Sequence, residues 1–444
     1  MFTRVYVKNF RSFDEFELNL AGKNGVPKKL AVIYGENGAG KSNLMSAFVL
    51  LNELKQTMDV RDIYEELLSQ ESFFKDNKID ENLRRQLFDG LRDIRAIIDD
   101  YRMIDCDGTI VAEYEFCIGN NYGSYRVEFD QEEIVYEKLE YLLNKRRGVH
   151  FECSSKGIEI NKAIIKDKDL YADIKAGAKR FWGKHSLLAI IEHELADKSN
   201  SYGKENLSDT FFDVLIELSM LSCYVKYGRR QWNSIYAPLI IFNSADKGKI
   251  SKDNEAQLDL AEQVFTQCFN AINSDIHRAY YKRNYKDKWI EYSLCLDKTI
   301  AGRDCSIDFS KESTGNHQLL EVLCYLLIAC LGGTVVLDEV DSGIHDLLFK
   351  KILQEVVGSI SGQVIMTTHN TTLMETDFAR ESTYVMSEES TGRMTIRAIS
   401  NYESRTYVSN NIRNKYLNNH YEGLPKVKEI DFAPIIKNIT DVFN

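Results

Sequence analysis

The sequence predicts an α/β fold built around a mostly parallel sheet. Residues 29–34 (KLAVIY) form a short apolar run of strand length, closed by a glycine. Residues 42–54 follow with helical spacing at Leu44, Ala47, Phe48, Leu51 and Leu54. Near the other end, strand-like runs at 335–337 and 364–367 flank a helical stretch over 345–357. Strands that alternate with helices in both terminal thirds imply parallel pairing through helical crossovers.

The remaining elements follow in chain order. Residues 5–7 and 16–20 read as two strands around a turn at Arg11-Ser12. Residues 56–104 are charged and helical in pattern. From 108 to 151 the pattern changes to alternation: 113–118 and 125–129 flank a Gly- and Asn-rich link at 119–123, a hairpin signal, and a third strand is expected at 134–139. Residues 160–280 read as mainly helical, broken near Ser199-Asn200-Ser201 and at Pro238. Residues 289–296 alternate like a strand, 306–309 follow, and 319–331 form a buried helix. This divides the chain into 1–155, a mainly helical insertion at 156–288, and 289–444.

At 444 residues the chain holds about three domain-sized units, or one large domain with an insertion. Its 44% hydrophobic and 28% charged content supports a full core and excludes disorder. The net charge of −11 excludes a coat for nucleic acid but leaves room for local basic patches. Nine scattered cysteines without a CxxC read as reduced thiols. The opening MFTRVYVKNFRSF lacks the apolar core of a signal peptide. The longest apolar run, 319–337, is interrupted by Glu321 and Gly332-Gly333, too broken for a membrane span. A soluble, cytoplasmic protein without a membrane partner is expected.

The chemistry concentrates at Gly35-Glu36-Asn37-Gly38-Ala39-Gly40-Lys41-Ser42, followed by Asn43. It matches G-x-x-x-x-G-K-[ST] in full, between a strand and a helix. Glycines let backbone N–H groups converge on phosphate oxygens, Lys41 would reach the β- and γ-phosphates, and Ser42 offers a hydroxyl to Mg²⁺. The run Thr334-Val335-Val336-Leu337-Asp338-Glu339 is an apolar strand ending in two acids. Asp338 would hold Mg²⁺, and Glu339 would orient or deprotonate the attacking water.

Two further stretches stand at telling distances: Ser313-Thr314-Gly315-Asn316 before the buried helix, and Met366-Thr367-Thr368-His369-Asn370 after the acidic strand. The order P-loop, signature, Walker B, histidine resembles the ABC-type ATPases of the SMC/RecF/OLD group. Within that group, the opening Val7-Lys8-Asn9-Phe10-Arg11-Ser12-Phe13 is similar to the usual N-F-R-S-F start, and the ending Asn414-Lys415-Tyr416-Leu417 and Tyr421-Glu422-Gly423-Leu424-Pro425 is similar to the tail of stand-alone bacterial phage-defence members, as in RloA/RloB, AbiL and PARIS-like systems. The resemblance implies an ABC-type head, a mixed sheet with an antiparallel β subdomain and a helical insertion. It also implies ATP and Mg²⁺ as cofactors and slow hydrolysis. By position, Arg11 and Ser12 would contact the nucleotide, as would the loop from Asn37 to Asn43. Ser313, Thr314 and Gly315 would be the signature that meets the γ-phosphate of a second copy, although Thr314 stands for the usual serine and Asn316 for the second glycine. Asp341 would bridge the subunits, and His369 would sense the γ-phosphate. The Gln-loop residue is left open between Gln70 and Gln86. The implied partners are a second copy of the chain and an effector, such as a Toprim-type nuclease, encoded nearby.

Two other readings stay open. A RecF-like repair ATPase would bind DNA directly, and a scaffold would use ATP as glue without turnover. The stretch 278–289 interleaves basic and aromatic residues and suits nucleic acid, a partner surface or plain structure. His193-Glu194 lacks the second ligand of a zincin, since position 197 is Asp. His345 reads as a helix-start residue. Lys145-Arg146-Arg147 and Lys226-Tyr227-Gly228-Arg229-Arg230 read as hairpin and loop charges. About 75 residues after His369 are short for an appended Toprim domain.

Overall fold

A computed structural model describes residues 1–69, 92–227, 230–236, 239–389, 391–402, 411–424 and 430–443. Gln70, Gln86, Gly228, Arg229, Pro238 and Pro425 lie outside the described residues. The first part contains β1 (Phe2–Phe10), β2 (Phe13–Asn19), β3 (Leu30–Tyr34), α1 (Lys41–Ser69) and α2 (Ile94–Tyr101). Then come β4 (Ile110–Ile118), β5 (Asn121–Phe129), β6 (Ile134–Leu143), β7 (Arg146–Ser154) and β8 (Gly157–Ile160). The middle holds α3 (Lys168–Phe181), α4 (Leu187–Ala196), α5 (Asn200–Asn206), α6 (Asp209–Ser219), β9 (Leu221–Tyr227), β10 (Arg230–Ser234) and β11 (Lys247–Ser251). It continues with α7 (Glu255–Ile272) and β12 (Ile276–Tyr285). The last part contains β13 (Trp289–Ile300), β14 (Arg303–Asp308), α8 (Thr314–Cys330), β15 (Thr334–Asp338), α9 (Asp346–Val356), β16 (Gln363–Thr367), β17 (Thr383–Glu388) and β18 (Met394–Ala398).

The central sheet has the order β10-β9-β15-β16-β3-β17-β18. Its five inner strands run parallel, and both edge strands are antiparallel to their neighbours. Strand β3 shows why it reads as one apolar run: Ala31 and Ile33 enter one core, while Leu30, Val32 and Tyr34 enter the other. The first core lies between this sheet, α1 and an antiparallel sheet of order β2-β1-β4-β5-β6-β7-β8. The second lies under α7, α8 and a four-stranded sheet in which β13 pairs with β11, β12 and β14. Leu44, Phe48 and Leu51 of α1 are fully buried, each contributing about 1.5–3 kcal/mol of apolar transfer. The expected mixed α/β architecture with an antiparallel β subdomain is present.

The stretch read as mainly helical departs from that reading. Helices fill 168–219, but β9 runs parallel to β15 inside the central sheet, and β11 and β12 are also strands. Leu221, Cys223 and Val225 face one core and Tyr224 the other, so long-range pairing decides their conformation more than local pattern. The basic and aromatic stretch 278–289 is the body of β12 and the turn into β13. No helix among the described residues is long and apolar enough to cross a membrane.

Candidate nucleotide site

The P-loop leaves β3 at Tyr34 and enters α1 at Lys41. Gly38 and Gly40 both have φ of +87°, the left-handed region that favours glycine. At Gly40 an added Cβ would meet the Phe13 ring at 3.0 Å and Ser12 Oγ at 3.2 Å, so the loop packs directly on the β1–β2 turn. The Ala39 N–H donates to Glu36 O at 3.2 Å, and Leu44 N–H to Gly40 O at 2.9 Å. Lys41 is 5% exposed and its Nζ donates to Gly35 O at 3.0 Å and Glu36 O at 3.1 Å. Burial lowers its pKa from the ordinary lysine value, against the pull of Glu339, Asp338 and Glu36. The loop encloses a cleft of about 380 Å³, lined by Asn37, Gly38, Gly40, Lys41, Ser42, Asn43 and, from across the sheet, Glu339. Backbone N–H groups at the start of α1 make this end of the cleft a favourable place for an anion.

The acids come from β15, which runs beside β16 with Asp338 opposite Thr367. Asp338 is 1% exposed and accepts a hydrogen bond from Thr367 Oγ1 at 2.6 Å, and the Ser42 hydroxyl lies nearby. Burial raises its pKa above the usual carboxylate value, and these hydroxyls oppose the rise. The Glu339 N–H donates to Thr367 Oγ1 at 3.0 Å, and its backbone takes φ of +49°, so the chain turns sharply to bring the carboxylate to the cleft. His369 Nε2 lies 3.3 Å from Glu339 Oε1. Asp341 accepts from the Thr368 hydroxyl, and burial raises its pKa. A serine hydroxyl and a buried carboxylate side by side form a hard oxygen pair, the donor chemistry that suits Mg²⁺.

The structure brings most of the sequence candidates together. Ser12 Oγ accepts from Asn43 Nδ2 at 2.8 Å, which ties the β1–β2 turn to the P-loop. Ala39 is buried beneath the loop and does not line the cleft. Arg11 points its guanidinium at Asp100 of α2, 3.1 Å away, and stacks over Tyr101 at 4.7 Å. Ser313 and Thr314 are exposed at the start of α8, where Ser313 Oγ accepts from Asn316 N at 3.3 Å. With Gly315 they stand apart from the residues lining their own P-loop cleft. His345 caps α9, accepting at Nδ1 from Leu347 N at 3.2 Å. His193 Nε2 lies 2.7 Å from Asp62, and no group of three or more His, Cys, Asp and Glu among the described residues is arranged for a metal.

Sequence reasoning passed over Phe13, Thr367 and Thr368. All three sit inside the two stretches that drew notice, Asn9–Phe13 and Met366–Asn370, but a ring packed on a glycine and a hydroxyl bonded to an acid leave no local signature.

A protein-family model described as "AAA domain, putative AbiEii toxin, Type IV TA system" matches residues 30–375, a span that runs from β3 past His369. The chain belongs to this family. The matched region is an AAA domain, and the P-loop, the acidic strand ending in Asp338-Glu339 and His369 all lie inside it. No curated protein matches the sequence. Among solved structures, an SMC head bound to the C-terminal winged-helix domain of ScpA is 13% identical, with 89% of this chain and 96% of that chain covered at a TM-score of 0.41. The SMC head domain from Thermotoga maritima is 15% identical, with 89% and 98% covered at 0.38. An SMC head with coiled coil and joint from Pyrococcus yayanosii is 11% identical, with 95% and 99% covered at 0.41. Scores this low add nothing to the AbiEii-type AAA assignment, which stands on the matched span.

Proposed function

We propose that the chain binds ATP with Mg²⁺ in the P-loop cleft and hydrolyses it slowly. The observation that carries this is the placement of Glu339 on the cleft rim opposite the P-loop, with His369 3.3 Å behind it. Lys41 and the loop N–H groups would hold the phosphates, and Ser42 and Asp338 would hold Mg²⁺, which supplies charge neutralisation when bound. Glu339 orients or deprotonates water, and His369 holds the Glu339 carboxylate in place. Ser313 and Thr314 are exposed and apart from their own cleft, so a second copy of the chain would deliver them to the γ-phosphate and would make ATP the link between two heads. Binding then favours the assembled state and hydrolysis releases it.

In this reading the chain serves phage defence and governs a partner effector such as a Toprim-type nuclease; a family described as a putative AbiEii toxin of a type IV TA system is consistent with a defence role. Direct DNA contact is the weaker reading. Arg283 of the basic stretch is already met by Glu255 at 3.1 Å, Asp259 at 2.6 Å and Glu262 at 2.9 Å. The test is nucleotide binding, turnover and light scattering on the parent, Lys41→Ala and Glu339→Gln. Lys41→Ala should lose ATP binding. Glu339→Gln should bind ATP and stay assembled without turnover. A Glu339→Gln variant that behaves like the parent would point to a scaffold instead.

A further inference from the structure

Thr368 is fully buried and sits between the two halves of this machinery. Its N–H donates to Ile33 O of β3 at 3.2 Å, next to the strand end that feeds the P-loop. Its hydroxyl donates to Asp341 and accepts from Asn370 N at 2.9 Å. Asn370 O in turn accepts from the Tyr34 hydroxyl at 3.0 Å. The His369 turn is therefore gripped on both sides, while the His369 side chain itself is half exposed and reaches Glu339.

Asp341 belongs to a tight turn that starts at Glu339. Ser342 N–H donates to Glu339 O at 3.1 Å and Ile344 N–H to Asp341 O at 3.0 Å. The same turn touches the start of α8: a Cβ on Gly315 would lie 3.1 Å from Gly343 O. A continuous path thus runs from exposed Ser313 and Thr314 through Gly315 and Gly343 to Asp341, and from Asp341 through one hydroxyl to the strand end that carries His369.

We propose that Thr368 is a positioning residue that couples the signature end of α8 and the Asp341 turn to the Glu339–His369 pair. The proposal rests on the ATPase reading above. Contact made by a second molecule on Ser313 and Thr314 shifts the Asp341 turn, and the Thr368 hydroxyl carries that shift to the strand end beneath His369. The backbone bond to Ile33 O of β3 holds Thr368 in place whatever its side chain, so removing the hydroxyl cuts the link without undoing the sheet. Substitutions along such a path change coupling by roughly two- to thirtyfold, and a tenfold fall in turnover lies within that range.

The experiment is a double-mutant cycle on the full chain, Thr368→Val against Asp341→Ala, read by kcat, KM for ATP and the affinity for a fluorescent ATP analogue. Thr368→Val should lower kcat by about tenfold and leave the analogue affinity within about twofold of the parent. Thr368→Ser, which keeps the hydroxyl, should restore kcat to within about twofold. Thr368→Val should cost nothing further in the Asp341→Ala background. Parental kcat in Thr368→Val, or independent losses that multiply in the double variant, would overturn the coupling. If Thr368→Val is insoluble, Thr368→Ser decides alone: parental turnover supports the proposal, and a tenfold loss overturns it. Parent turnover and its loss in Lys41→Ala are measured in the same series; a parent without Lys41-dependent turnover overturns both the coupling and the ATPase reading.

Discussion

Replacing Gly38 and Gly40 by alanine, one at a time, separates two demands that the P-loop makes of its glycines. Both have φ of +87°, so each alanine is forced into the left-handed region at a cost of about 1–2 kcal/mol. The surroundings differ. Nothing lies within 4 Å of an added Cβ at Gly38, whereas at Gly40 the Cβ meets Phe13 Cζ at 3.0 Å, Phe13 Cε1 at 3.1 Å and Ser12 Oγ at 3.2 Å. Phe13 cannot step aside cheaply: it is 2% exposed and its ring centroid lies 4.3 Å from that of Phe16. Overpacking of that kind adds about 1–3 kcal/mol. Gly38→Ala should therefore cost about 1–2 kcal/mol and Gly40→Ala roughly 2–5 kcal/mol. The assay is the urea unfolding midpoint, followed by titration with a fluorescent ATP analogue. Equal midpoint shifts, or a milder effect at Gly40, would refute the claim that the loop rests on the β1–β2 turn.

Three more outcomes are expected. His369→Ala should lower kcat while leaving ATP affinity near the parental value, because His369 touches Glu339 at 3.3 Å and does not line the P-loop; a loss confined to affinity would count against that placement. Asp100→Ala should release Arg11 from its 3.1 Å ion pair, and nucleotide affinity should rise if Arg11 then swings to the phosphates; unchanged affinity assigns Arg11 to holding α2. Burial pushes the Glu137 carboxyl up from about 4.5 to about 7 even though Trp182 Nε1, Tyr125 Oη and Leu187 N donate to it. The folded chain then binds this proton more tightly than the unfolded chain, so stability falls as pH rises from about 4.5 to about 7. Glu137→Gln removes that dependence, so its unfolding free energy relative to the parent should climb with pH across the window; a flat difference would exclude Glu137 as the source.

What could be read from the sequence was local, and what could not depends on distant contacts. The P-loop, β3 and the first half of α1 are contiguous, and their spacing alone carries them. Asp338 and Glu339 were legible because an apolar strand ending in two acids is itself a pattern. β9 was not, because Leu221, Cys223 and Val225 become a strand only by pairing with β15, more than a hundred residues onward. The Asp100 partner of Arg11 and the Phe13 ring beneath Gly40 were invisible for the same reason. The two threonines before His369 show a subtler limit. They read as ordinary β-branched strand residues, and only the fold reveals that one hydroxyl holds Asp338 and the next holds Asp341.

The strand order of the central sheet also governs how the chain can be made. β3 emerges early, yet its neighbours on either side, β16 and β17, are encoded more than 320 residues later. At synthesis rates of about 5–20 residues per second, the apolar stretch LAVIY waits roughly 15–70 s on the ribosome before either flank exists to cover it. A nascent or prematurely terminated chain thus exposes a sticky ribbon and, until β15 is made, a phosphate loop without its acids, so fragments ending before β15 should be inert toward nucleotide and prone to clump.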